Sequence, residues 1–279
     1  GDKAAALAQL ARAIEINPKA TRAHMNLGDI HRLDGDYARA ESNYRQAAQS
    51  EPSNFDAQFY HGLMLHALDR VREAIGAYLR ALSIKPDDFL TTLNLASAYY
   101  QVSEARQALA FAEKAVRLNP QDGAARFTLG AVYADLDQHA KAVVEFQQAA
   151  ELMELSPALL LSLGKSLGRL ERWDEMRNAL AQCVARPGGA TAEAYERLGF
   201  AQFKSGRNEE AKAAFARALE INPQYFPALN GVGVCELNAW IKSDRNDQGA
   251  HDRGVAALRA SIKINRDQPR ILELLARYP

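Results

Sequence analysis

Apolar positions along this chain keep a helical rhythm, and the rhythm itself repeats. Ala40, Tyr44 and Ala47 lie four and three residues apart, and the same trio returns as Ala74, Tyr78 and Ala81, then as Ala211, Phe215 and Ala218. That spacing places the three on one face of a helix. Ahead of each trio runs a column of small residues: Gly28, Gly62, Ala96, Gly130, Gly164, Gly199 and Gly233, 34 apart except for one step of 35. Between the two elements stand turn residues, "DGD" at Asp34–Asp36 and "SGR" at Ser205–Arg207. The pattern predicts a helix–turn–helix unit that comes round seven times.

The columns have physical reasons. Ala40, Ala74, Ala108, Ala142, Met176 and Ala211, and then Ala47, Ala81, Ala115, Ala149, Cys183 and Ala218, mark places where helix backbones approach too closely for larger side chains. Tyr44, Tyr78, Phe146, Leu180 and Phe215 fill the space between neighbours, and the third unit departs with Ala112 in place and Phe111 beside it. Pro18, Pro52, Pro86 and Pro120, again 34 apart, cannot extend the helix before them and suit the start of the next. In "SPALLLSLG", Ser156 is placed to cap and Pro157 to take the first helical position.

With its 34-residue period, Leu-Gly before an aromatic or its stand-in, then Ala, a large aromatic, Ala and Pro, the chain resembles the tetratricopeptide repeat family. "AYERLGFAQFKSGRNEEAKAAFARALEINP", residues 194–223, carries the likeness nearly position by position. The resemblance spans the chain as a single solenoid, 1–279: a half repeat at 1–20, then repeats near 21–54, 55–88, 89–122, 123–156, 157–191, 192–225 and 226–266, and a capping helix at 269–278. It implies an all-α, right-handed superhelix of antiparallel helix pairs, in which first helices line a concave groove and second helices form the back. The chain opens inside an amphipathic helix whose partner helix is not in the sequence, so it is expected to be a piece of something longer, with any signal or anchor upstream.

Carried over position by position, the inward residues implied by the resemblance are apolar in the second to fourth repeats and of mixed charge in the first, fifth and sixth. The candidate peptide-binding groove is Asn26, Phe59, Tyr60, Leu63, Leu90, Leu93, Asn94, Tyr100 and Phe127. Aromatic and aliphatic residues framed by polar ones suit a protein or peptide partner. Two specialisations of the family do not fit. A clamp for a C-terminal carboxylate is interrupted by Met25, and a backbone-gripping asparagine ladder has only Asn26 and Asn94. The expected function is a non-catalytic adaptor. The alternatives are a structural module that self-associates into a homo-oligomer, or a regulatory arm of a larger enzyme.

Composition narrows this further. Lys and Arg total 34 against 34 Asp and Glu, which argues against a nucleic-acid partner. No apolar run reaches the roughly 20 residues that span a bilayer, so direct membrane insertion is not expected. Cys183 and Cys235 lack metal or disulfide spacing and read as small buried residues; the compartment stays open, with the cytoplasm favoured. The six histidines show no ligand pattern, with His31 and His61 falling at core columns, and no cofactor or metal is expected. "NGVGVCE" has Glu236 where a dinucleotide fingerprint needs its third glycine.

One stretch breaks the beat. From Gly233 to Ser261 the counterpart of a 19-residue interval is 28 residues, an insertion near 237–249. Asp244, Asn246 and Gln248 begin like a calcium loop, but Val255 stands where the closing glutamate belongs. The expectation is a lengthened hairpin: the first helix two turns longer, "RNDQG" as the turn, a second helix from Ala250, and Trp240 packed between them.

Overall fold

The computed structural model of the chain describes residues 3–279, and these form sixteen α-helices with no strand among the described residues. The chain divides into two compact units, one ending at Gln138 and one running from His139 to Pro279. The first holds α1 (Lys3–Ile16), α2 (Thr21–Leu33), α3 (Tyr37–Ser50), α4 (Phe55–Ala67), α5 (Val71–Ile84), α6 (Phe89–Gln101), α7 (Ala105–Leu118) and α8 (Gly123–Asp135). The second holds α9 (His139–Leu152), α10 (Pro157–Arg169), α11 (Trp173–Val184), α12 (Ala192–Lys204), α13 (Asn208–Ile221), α14 (Phe226–Lys242), α15 (Gln248–Ile264) and α16 (Pro269–Arg277). Within each unit a helix packs most closely on its hairpin partner and then on the next pair, which makes both units α-solenoids.

The small and large columns meet. A Cβ on Gly28 would stand 2.6 Å from the Tyr44 ring, one on Gly62 2.8 Å from Tyr78, one on Gly199 2.9 Å from Phe215 and one on Gly233 2.4 Å from Leu258. In these pairs the large residue of the second helix therefore lies against the backbone of its own first helix. The third repeat differs: Ala96 carries an extra methyl, Ala112 gives up the ring, and the neighbouring Phe111 stacks on Tyr99 at 5.7 Å. Tyr44, Tyr78, Phe146 and Leu180 are fully buried.

Helix starts and stops follow a second register. Asn54, Asp88, Asp122, Ser156 and Thr191 cap the first helices, each accepting from the backbone N–H three residues on. Pro52, Pro86 and Pro120 lie two residues ahead of these caps, in the turn; they end one helix, and the polar residue starts the next. Pro157 alone among these prolines takes a first helical position. The turn after each first helix from α2 to α12 passes through a left-handed residue, Gly35, Asp69, Ser103, Asp137, Glu171 and Gly206, with φ between 57° and 78°.

The insertion differs in detail from the expectation. α14 has 17 residues against 13 in earlier first helices, one turn longer rather than two. α15 has 17 against 14 and begins at Gln248, two residues before Ala250, because Asp247 caps it through Ala250 N–H at 2.9 Å. Trp240 lies over His251, with ring centres 4.8 Å apart, and edge-on to Tyr278 at 5.6 Å. Its Nε1 donates to Arg245 O at 3.1 Å, so the indole both closes the hairpin turn and seats the α16 end of the chain.

The histidines are structural. His24, not His31, is the buried one on α2, donating to Pro18 O at 2.9 Å; His31 is half-buried. His61 is buried and donates through Nε2 to Glu41 at 3.1 Å, while its Nδ1 is buried without a partner. Protonation would add a proton to that unpartnered nitrogen. Burial accordingly lowers the imidazole's affinity for protons, and the Glu41 carboxylate only partly opposes it. Cys183 and Cys235 are buried free thiols, and burial pushes the second up to about 11.

Candidate functional site

All nine candidate groove residues lie in the first unit, on first helices: Asn26 on α2, Phe59, Tyr60 and Leu63 on α4, Leu90, Leu93, Asn94 and Tyr100 on α6, and Phe127 on α8. α4 touches α6 and α6 touches α8, so the last three of these helices form one continuous wall. The link from α2 to α4 is made by side chains: the Arg32 guanidinium lies 5.4 Å above the Tyr60 ring, which in turn stacks on Tyr44 of α3 at 5.3 Å.

The nine are not equally available. Phe59 packs against the core of Leu65, Tyr78 and Leu95 and meets Tyr60 edge-on at 5.2 Å. Tyr60 and Leu63 pack against Ala40, Tyr44 and Met64. Leu93, Asn94 and Phe127 are half-buried. The open positions are Asn26, Leu90 at 55% exposure and Tyr100 at 39%. Partial burial, with Asp135 nearby, raises the Tyr100 phenol above its usual range, so it stays a neutral hydrogen-bonding group. Asn26 and Asn94 make no side-chain hydrogen bond among the described residues, which leaves both amides able to donate and accept at once.

Two features of the wall were missed in sequence. Tyr44 Oη donates to Asp29 Oδ1 at 2.8 Å and receives Arg32 Nε at 3.3 Å, a network that fixes the charged end of α2 beside Tyr60. His66 bridges α4 to α6 through Gln101 Oε1 at 2.9 Å, and Gln101 reaches back to Asp69 at 3.2 Å. Asp29, Arg32, His66 and Gln101 all occupy inward positions, so the signal was present. Only side-chain reach shows that they bind one another.

A row of first helices carrying apolar side chains, locked from behind by second helices, defines a helical-repeat scaffold. Family models described as tetratricopeptide repeat match residues 1–42, 34–89 and 93–158, and another matches 192–225. These cover more than half of the sequence, and the chain belongs to the tetratricopeptide repeat family. The tetratricopeptide repeat-containing protein trd-1 of Caenorhabditis elegans is 29% identical over 100 residues, 36% of this chain and 13% of that protein, so the match spans a small part of the relative's length. Among solved structures, YrrB, described as a TPR protein with an unusual peptide-binding site, is 24% identical with a TM-score of 0.60, over 71% of this chain and 97% of its own. A tetratricopeptide repeat protein from Parabacteroides merdae is 20% identical with a TM-score of 0.60, over 92% and 97%. The Cut9–Hcn1 hetero-tetramer of APC/C gives 16% and 0.62, over 98% of this chain and 52% of that one. At these identities the likeness is one of fold.

Proposed function

We infer that the chain is a non-catalytic scaffold for protein–protein contacts, and that the α4–α6–α8 wall, extended by Asn26 on α2, holds an extended segment of a partner protein. The observation that carries this reading is the exposure of Leu90 and Tyr100 on α6, between half-buried Leu93 and Phe127. Large apolar side chains left in water on a wall of half-buried ones are the usual anchor sites of an interface. Asn26 and Asn94 flank them with amides suited to a peptide backbone. The family's general use as interaction scaffolds, and the peptide-binding site named for YrrB, agree with it.

Leu90→Glu and Tyr100→Glu change exposed residues and should leave the circular dichroism spectrum unaltered. With a photo-crosslinking residue at position 97, partner adducts formed by the wild-type background should disappear in both variants. Adducts that persist unchanged would sink the groove reading. A concentration-dependent oligomer that the two variants dissolve would favour self-association through the same face instead.

A further inference from the structure

The second unit contains a cleft of about 430 Å³ between α12, α14 and α16, distinct from the wall just described. This volume lies within the roughly 300–1,000 Å³ range of ligand pockets. Its sides are apolar: Phe200 and Phe203 from α12, Val234 from α14, Ile271 and Leu274 from α16. Phe200 is 39% exposed at its rim.

Two polar atoms in this apolar setting lack partners. The Gln268 amide is fixed by three hydrogen bonds from its Nε2, to Ser261 O at 3.3 Å, Ser261 Oγ at 2.9 Å and Asn265 O at 2.8 Å. Its Oε1 therefore faces Asn230, whose Nδ2 donates to it at 2.6 Å. That settles which way Asn230 points and leaves its Oδ1 buried with no donor. Glu196 is the second. Its neighbour Arg197 is bonded to Glu193 at 3.0 Å, and Lys165 takes the same carboxylate at 2.7 Å, so Glu196 has neither as an ion-pair partner. Burial and Glu193 raise its pKa above the usual carboxylate range, against the pull of Arg197. Neither acceptor has a donor from the fold: Glu196 is half-buried and still meets water, whereas Asn230 Oδ1 is shut off from it.

We propose that this cleft receives the arginine side chain of a partner protein, with the guanidinium between Glu196 and Asn230 Oδ1 and its aliphatic stem against Phe200, Phe203, Val234 and Leu274. Two acceptors that lack donors call for a group with several donors and a positive charge. The planar guanidinium has five N–H groups and a flat face that lies well on phenyl rings. Lysine also has donors, but its ammonium is a compact, strongly hydrated point charge with no flat face to lie on the phenyl rings. Arg270 is exposed at the rim, so it disfavours a second basic residue beside the arginine and suits an acidic one.

The test uses the full chain and two capped synthetic peptides, identical except for a central arginine or its neutral isostere citrulline, each with a neighbouring aspartate. Affinity is read by calorimetry, and the site by shifts of the Val234 methyl and Gly231 amide resonances. The arginine peptide should bind about tenfold or more tightly than the citrulline peptide, the range of a charge-assisted hydrogen bond. Glu196→Gln should erase that difference while the spectrum stays folded. Arg270→Ser should weaken the contact to the aspartate but keep the preference for arginine. Equal binding of the two peptides, no binding of either, or an undiminished preference in Glu196→Gln would each overturn the assignment. Because Leu90 and Tyr100 lie in the other unit, a failure here leaves the α4–α6–α8 reading standing, and the reverse.

Discussion

One substitution, made at two glycines, should act with opposite sign. Gly231→Ala and Gly76→Ala both place a methyl in the interior of a helix, α14 and α5, where alanine is favoured by about 1 kcal/mol. At position 76 the nearest atom to the new Cβ is the flexible Arg80 guanidinium, 3.5 Å away, so the propensity gain stands. At position 231 the Cβ would lie 2.4 Å from two atoms of the Phe215 ring, about 1 Å short of the roughly 3.5 Å carbon–carbon minimum. Phe215 has little freedom to withdraw, being 2% exposed and pressed on its other side against Gly199. Overpacking of this kind costs about 1–3 kcal/mol, and the severity of the contact argues for the upper part of that range. The net expectation is a gain of about 0.5–1 kcal/mol for Gly76→Ala and a loss of about 1–2 kcal/mol for Gly231→Ala. Both tryptophans, Trp173 and Trp240, lie in the second unit, so urea unfolding followed by fluorescence reads Gly231→Ala in its own unit. Amide exchange along α5 reads Gly76→Ala in the first. Phe215→Leu should cost clearly less in the Gly231→Ala background than in the wild type, because there it relieves the clash. If Gly231→Ala is as stable as wild type, or Phe215→Leu costs the same in both backgrounds, the ring-on-backbone account of the repeat is wrong.

Three further outcomes follow from individual contacts. Burial holds His61 below the ordinary imidazole value of about 6.5, so below that pH the unfolded chain binds more protons than the folded one. Stability of the first unit should therefore fall as the pH drops from about 6.5 toward the depressed folded value, and this group should have no effect well above 6.5. His61→Gln keeps a donor for Glu41 and should flatten that acid-side slope in urea titrations followed by circular dichroism. Asp247→Ala removes the α15 cap and should cost about 1 kcal/mol, whereas Asp247→Asn should be nearly neutral. Calcium should not move the melting temperature of either Asp247 variant or of wild type. Tyr44→Phe deletes the hydroxyl between Asp29 and Arg32 and should cost about 0.5–1.5 kcal/mol, the lower part being favoured because both charged groups keep access to water.

Much of this fold was legible in the sequence because each repeat solves the same packing problem with the same residues. A small residue at the Gly28 register and a ring at the Tyr44 register are two halves of one contact, so the columns are a contact map written along the chain. The Ala96–Ala112 pair shows a different solution, with the ring moved one residue to Phe111 and stacked on Tyr99, which a column-by-column reading records only as an exception. The prolines were read correctly as stops, but the starts belong to Asn54, Asp88 and Asp122. A local hydrogen bond decides those positions, and hydrophobic spacing is blind to it.

The helices that carry the candidate wall residues were legible for the same reason: register fixes the helix of each position and its neighbours. Their exposure was not, because it depends on how far a ring reaches into the pair behind, as Phe59 and Tyr60 do and Leu90 does not. The cleft in the second unit lay beyond the period altogether. Its third side is α16, a helix with no counterpart in the earlier repeats, and its polar geometry is set by Gln268, which belongs to no column. Glu196 sat among the mixed-charge inward positions of the sixth repeat, and Asn230 among the inward positions of the seventh, and neither stood out. Beside the cap one is half-buried with no ion-pair partner and the other keeps a buried oxygen without a donor, and that pairing of acceptors is what the proposed arginine site rests on.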